Sequence, residues 1–99
     1  MAACVPLTRE MLPNLVTIKS ISSAIDFNQA RKLADDKAAE LLNVPMLLAW
    51  FDSREQKFSP NVVCCQEHKP AWLVYAETRG GELSVEINDL EYVFVYRQG

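Results

Sequence analysis

No apolar run in the chain approaches the roughly 18 residues that a membrane span needs, and Met1-Ala2-Ala3-Cys4 lacks the basic region and apolar segment of a signal peptide. The expected compartment is the cytoplasm. Three cysteines, two of them adjacent, do not make the disulfide framework of a small secreted domain, so reduced thiols are expected. The ten basic residues are scattered among thirteen acidic ones, for a net charge of −3. Phosphate recognition needs clustered Lys and Arg that release counterions, and nucleic acid is therefore not an expected partner. There is no Gly-rich phosphate loop, no His-Glu-x-x-His helix and no nucleophile elbow. His68 is the single histidine, so any mechanism built on imidazole would have to use it. These shortages leave an enzyme as the third reading, behind two kinds of binding protein.

What the chain does have is apolar side chains. They make up 49% of its 99 residues, with 23% charged, which is ordinary globular composition. A chain this short supplies one core, so residues 1–99 are expected to form a single domain. No repeat, linker or low-complexity stretch divides it.

The clearest element runs from Phe27 to Asn43, where Ala30, Leu33, Ala34, the stem of Lys37, Ala38, Leu41 and Leu42 recur at three- and four-residue steps. Asp26 is placed to cap this helix, Gln29 completes a capping box, and Asn43-Val44-Pro45 supplies the stop. Met11, Leu15, Ile18 and Ile25 also fall at helical spacing, and Pro13 fits a first turn, which predicts a second, earlier helix. Against it stands a strand from Leu15 to Ile21, because Val16, Thr17, Ile18 and Ile21 are β-branched.

After about residue 46 the pattern changes to short apolar or alternating runs separated by turn residues. Strands are expected at Met46 to Asp52, at Phe58 with Val62 to Cys65, at Ala71 to Glu77, at Glu82 to Asn88 and at Glu91 to Arg97. Thr78-Arg79-Gly80-Gly81 and Asn88-Asp89-Leu90 read as hairpin turns. The expected fold is α+β, with a helical part over about 8–43 and one or two N-terminal helices on one face of a four- to five-stranded antiparallel meander over about 46–97. Glu82 to Asn88 alternates strictly, which predicts Leu83, Val85 and Ile87 inward and the acidic residues in water. Met46 to Phe51, Trp72 to Ala76 and Tyr92 to Tyr96 are apolar on both faces and need cover on each.

Pro45-Met46-Leu47-Leu48-Ala49-Trp50-Phe51-Asp52, Phe58-Ser59-Pro60-Asn61-Val62, Cys64-Cys65, Lys69-Pro70, Trp72-Leu73-Val74-Tyr75-Ala76, Arg79-Gly80-Gly81 and Tyr92-Val93-Phe94-Val95-Tyr96 follow in an order that resembles a small uncharacterised prokaryotic family, a domain of unknown function. The resemblance covers roughly the C-terminal half. It implies a prokaryotic, cytosolic origin and brings no activity, cofactor or catalytic residue. Where a glycine is expected in the turn after Asp52, this chain has Glu55-Gln56.

Three groups of residues are candidates for chemistry or binding. Cys64, Cys65 and His68 combine thiolate with imidazole, the ligands that suit zinc or copper and also a nucleophile with its base. Neighbouring residues of a strand point to opposite faces, however, and a fourth ligand would have to come from Cys4 or Glu67. The plainer reading is two small buried hydrophobes beside a solvated loop histidine. Asp52, Glu77, Arg79 and Asn88 fall at expected strand ends, where a rim could bind a small anion or metabolite with Arg79 as bidentate donor. Solvated charges beside turns are the alternative. Trp50, Trp72, Tyr75 and Phe94 are the aromatics expected to lie partly on a sheet face left bare by the helices. The leading expectation is a non-enzymatic domain, without cofactor, that forms a homodimer or binds a partner through that face. A small-ligand or metal-binding protein is the runner-up.

Overall fold

The computed structural model describes residues 7–19, 25–60 and 70–99. Five strands and two helices follow in the order β1 (Leu15–Ile18), α1 (Phe27–Leu41), β2 (Pro45–Asp52), β3 (Lys57–Ser59), α2 (Ala71–Thr78), β4 (Leu83–Ile87) and β5 (Tyr92–Gln98), with one 3-10 turn at Arg9–Met11 ahead of them. The strands form one sheet in the order β1-β4-β5-β2-β3. β1 is parallel to β4, and every other pair is antiparallel. The fold is therefore α+β, two helices on a mostly antiparallel sheet. It is not a simple meander, because β1 crosses to the far edge and β5 lies between β4 and β2.

The α1 helix starts where its capping residues place it. The Asp26 carboxylate accepts from the Gln29 amide at 2.8 Å, and the Gln29 side chain accepts from the Asp26 amide at 3.0 Å. Ala30, Ala34 and Ala38 are completely buried. Their four-residue spacing puts three methyl groups in one line, which lets the helix axis approach the sheet closely. The outer side carries the i,i+4 pairs Arg31–Asp35 and Lys32–Asp36 and the i,i+3 pair Lys37–Glu40, each adding a few tenths of a kcal/mol.

Two of the expected elements are different in kind. The segment around Leu15 is a strand and not a helix, because Asn14 takes a left-handed φ of 44° and Val16, Thr17 and Ile18 favour extended backbone. Ala71 to Glu77 is a helix and not a strand. Pro70 stands at its N-cap with an extended ψ of 143°, and Trp72, Leu73 and Ala76 form its buried side at helical spacing. A short run apolar at every position has no periodicity with which to choose between the two forms. Thr78 to Gly81 accordingly closes a helix, not a hairpin. The Gly81 amide donates to the Ala76 carbonyl at 2.9 Å and the Gly80 amide to that of Glu77 at 3.1 Å, a Schellman ending with Gly80 at φ 87°. The expected strand over Val62 to Cys65 lies outside the described residues.

The helices take opposite faces of the sheet, where one shared face was expected. Tyr92, Phe94 and Tyr96 of β5 pack with Ala30, Ala34, Ala38, Leu83, Val85 and Ile87 under α1. Val93 and Val95 pack with Ala49, Trp72, Leu73 and Ala76 under α2. Alternate residues of one strand thus belong to two cores. In β2 a bulge between Leu47 and Ala49 lets Leu48 and Ala49 both serve the α2 side, since a bulge sets two residues against one.

Tyr96 fastens α1 by donating its hydroxyl to the Asp35 carboxylate at 2.6 Å. The expected wet side of β4 is absent. Glu86 and Ser84 are 0% exposed, because the segment before β1, with Leu7, Met11 and Leu12 in the core on this face, covers that end of it, and Arg9 lies 2.6 Å from Glu86.

The close approach of α1 sets the first expected outcome. Ala34→Leu inserts a larger side chain into a site with no free surface, and overpacking of this kind costs about 1–3 kcal/mol. Urea unfolding should show a lower midpoint with an unchanged slope. An unaltered midpoint would mean that the helix is free to lift away.

Candidate functional site

At the end of the sheet where β2 finishes and β5 begins, the start of α1 and the turn after β2 enclose an open cleft of about 470 Å³. Its walls are Ile25 to Gln29, Asp52, Arg54, Glu55 and Tyr92. Local sequence builds each wall. The Asp52 carboxylate turns inward at the strand end and accepts from the Arg54 and Glu55 amides at 3.0 and 3.1 Å, the self-capping that aspartate favours in turns. Gln56 then takes the left-handed φ of 54° at the turn where a glycine was expected. The Ser53 amide and hydroxyl both donate to the Glu91 carbonyl at 2.9 Å, tying this turn to the one preceding β5.

Across the cleft, the Ile25 carbonyl accepts from the Tyr92 hydroxyl at 3.1 Å and from Arg54 Nη1 at 3.2 Å. The chain entering α1 is thereby pinned to β5 and to the β2 turn. Beneath it the Phe27 ring packs against Trp50, with centroids 4.5 Å apart, and against Phe94 at 5.5 Å. Three acidic residues, Asp26, Asp52 and Glu55, line the cleft with one basic residue, Arg54; the Asp26 and Asp52 carboxylates accept backbone amides, and Arg54 pairs with Glu91 at 3.3 Å. Such a cleft is negative and favours cations and hydrogen-bond donors. Burial pushes the Tyr92 phenol above its ordinary value, and the negative charge of Asp52 adds to the effect.

The four rim candidates are divided between the two ends of the sheet. Asp52 lines the cleft, and Asn88 follows the end of β4 near it, since Ile87 and Asp52 both pair with Tyr92. Glu77 and Arg79 close α2 at the opposite end, where the Arg79 carbonyl accepts from Arg97 Nη1 at 3.0 Å. The Arg79 guanidinium lies 4.0 Å over the ring of Tyr75, away from Asp52. Cys64, Cys65 and His68 lie outside the described residues. Among the described residues no three His, Cys, Asp or Glu side chains are grouped to hold a metal ion.

A bare aromatic sheet face is not what these residues make. Trp72 is buried on α2 and stacks on Phe51 at 5.6 Å, and Phe94 is fully enclosed beneath α1. Trp50 is half-buried against Phe27, and Tyr75 is half-buried under Arg79. The segment counted as a strand is the helix that covers this face. Among the described residues the exposed large hydrophobics are Leu41, Val44 and Met46, at 52%, 60% and 48%, all at the end opposite the cleft.

Arg54, Glu55 and Tyr92 did not stand out in the sequence as site residues. The Asp26–Gln29 box did mark where α1 begins, but contacts of Ile25 with Arg54 and Tyr92 span 29 and 67 residues and leave no local pattern.

Residues 13–96 match the family described as domain of unknown function DUF5619. An uncharacterized protein of Archaeoglobus fulgidus is 32% identical over 75 residues, covering 76% of this chain and 79% of that protein. The crystal structure of AF1514, from the same organism, superposes with a TM-score of 0.75 at 25% identity, over 89% of this chain and 96% of the other. Two helices on a mostly antiparallel sheet is thus an architecture seen in a solved structure. The chain belongs to the DUF5619 family. No helix among the described residues is long and apolar enough to cross a membrane.

The buried phenols give an alkaline signature. Tyr96, like Tyr92, is held above its ordinary value, first by burial and then by its bond to Asp35 and the charge there. An unfolded tyrosine ionises near pH 10. Because the folded values are raised, the stability they contribute is complete below about pH 10 and is lost as pH rises beyond it. Phenolate absorbance from Tyr92 and Tyr96 should therefore appear together with loss of helical circular dichroism. Ionisation of both in a chain still folded would contradict their placement.

Proposed function

We propose that the domain is a binding module, not a catalyst, and that its recognition site is the cleft at the start of α1. The observation that supports this most directly is the convergence of Asp26, Asp52 and Glu55 on one open volume of the size small-molecule sites have. The ligand class that fits is a small amine or other cationic, donor-rich molecule. We further propose that the protein works in the cytoplasm of a prokaryotic cell, and its archaeal relative supports the prokaryotic part of that reading.

Amide shifts in two-dimensional NMR test the site, with putrescine and methylguanidinium as probes and inorganic phosphate as the anionic control. The amines should move the amides of Phe27 to Gln29 and of Arg54 and Glu55, and phosphate should not. Glu55→Gln removes one exposed charge, worth about 0.2–1 kcal/mol, and should weaken binding up to several-fold. Shifts scattered over the surface, or larger with phosphate, would exclude this site.

A second reading, homodimerisation, is favoured by the exposure of Leu41, Val44 and Met46 at one end of the molecule. Apolar area at roughly 25 cal/mol per Å² drives association once the loss of rigid-body freedom is met, and a two-fold axis lets one patch complement itself. Analytical ultracentrifugation should show a dimer at high concentration that Val44→Asp abolishes. A wild-type monomer throughout would remove the reading and leave the cleft proposal untouched.

A further inference from the structure

Glu86, the fourth of the five residues of β4, is a buried carboxylate, and both its oxygens are engaged. Oε2 accepts from Arg9 Nε at 2.6 Å and from the Thr17 hydroxyl at 2.9 Å. Oε1 accepts from Arg9 Nη2 at 3.3 Å and from the Leu90 amide at 2.9 Å. Three separate pieces of chain therefore meet on one side chain: the 3-10 turn that carries Arg9, the edge strand β1, and the turn between β4 and β5.

That turn is unusual. Asn88, Asp89 and Leu90 are all left-handed, with φ of 54°, 58° and 65°. Asn and Asp tolerate this region, but for a residue of leucine's bulk it is an outlier. Left-handed backbone in three consecutive residues, none of them glycine, persists only where its surroundings hold it. Two holds are visible. The Leu90 amide is bound by Glu86, and the Asp89 carboxylate is paired with Arg9. A third contact joins the turn to β1, as the Asn88 amide donates to the Ile18 carbonyl at 2.9 Å.

We propose that Arg9 and Glu86 form a latch through which docking of the N-terminal segment holds the β4–β5 turn in its left-handed form, so that the two engage and release together. A carboxylate without accessible surface needs a paired charge and filled hydrogen bonds. Arg9 supplies the charge from an exposed position on the N-terminal segment. When that segment leaves, Glu86 loses its cation and the Thr17 donor at once and must turn toward water. The Leu90 amide then has no acceptor, and the strained turn loses these holds, keeping its internal bond from the Glu91 amide to the Asn88 carbonyl at 3.3 Å. The inference does not depend on any ligand for the cleft.

Amide hydrogen exchange, followed residue by residue, tests the latch with Arg9→Gln, which removes the charge and the forked guanidinium at an exposed site while keeping a polar side chain. The amides of Asn88 and Leu90 and those of β1 should exchange at least tenfold faster, by similar factors, while amides in the middle of α1 keep their wild-type rates. Thr17→Val removes a different donor to the same carboxylate and should accelerate the same two regions by a smaller factor. Arg9→Lys, which retains charge without the two-pronged contact, should fall between wild type and Arg9→Gln. If β1 loosens while Leu90 keeps its wild-type rate, or the reverse, the two are not coupled and the proposal fails. Equal acceleration in α1 would show general destabilisation only, and would overturn it as well.

Discussion

The constraint on which the structure depends is the two-sided apolar character of β5. Tyr92, Phe94 and Tyr96 alternate with Val93 and Val95, and all five are buried. Because successive side chains on a strand point to opposite faces, such a strand has no side that water can occupy. It must lie inside the sheet with a layer above and a layer below. β4 and β2 flank it, α1 supplies one layer and α2 the other. The line of alanines in α1 and the ending of α2 at Gly80 and Gly81 are the local means by which each layer is brought to its place. At Gly81 a Cβ would meet both the Ala76 carbonyl oxygen and the Val95 side chain at 3.0 Å.

This division into two cores explains what the sequence showed and what it did not. The boundaries of α1 were legible because capping chemistry is local: Asp26 and Gln29 are three residues apart, and the apolar spacing that follows has one period. Strands β2, β4 and β5 and the turn at Asn88 to Leu90 were legible for the same reason. The need for cover on both faces was legible too. The identity of the second cover was not, since Ala71 to Ala76 is apolar at every position and reads as well extended as coiled. Once that helix is taken for a strand, a face is left with nothing on it, and a surface of aromatic residues follows from the error.

The polar features were hidden for a different reason. Strict alternation in β4 correctly separates Leu83, Val85 and Ile87 from Ser84 and Glu86, but alternation distinguishes sides and says nothing about which side is wet. Glu86 is buried because Arg9, 77 residues away, compensates it. The cleft follows the same rule. Asp52 was visible as a charge at a strand end, whereas Arg54 and Tyr92 became significant only when the fold brought Ile25 between them.

The parallel pairing of β1 with β4 bears on how the chain is made. Leu15 pairs with Ser84 and Ile18 with Ile87, and Thr17 reaches a carboxylate 69 residues further on. The antiparallel neighbours β4 and β5 are joined by a turn of a few residues, and closing so short a loop costs little entropy. A ribosome releases β1 before β4, yet the place of β1 on the sheet does not exist until β4 has emerged. A segment synthesised well before its partner is thus seated only after it, and until then its β-branched residues and Arg9 have no counterpart in β4.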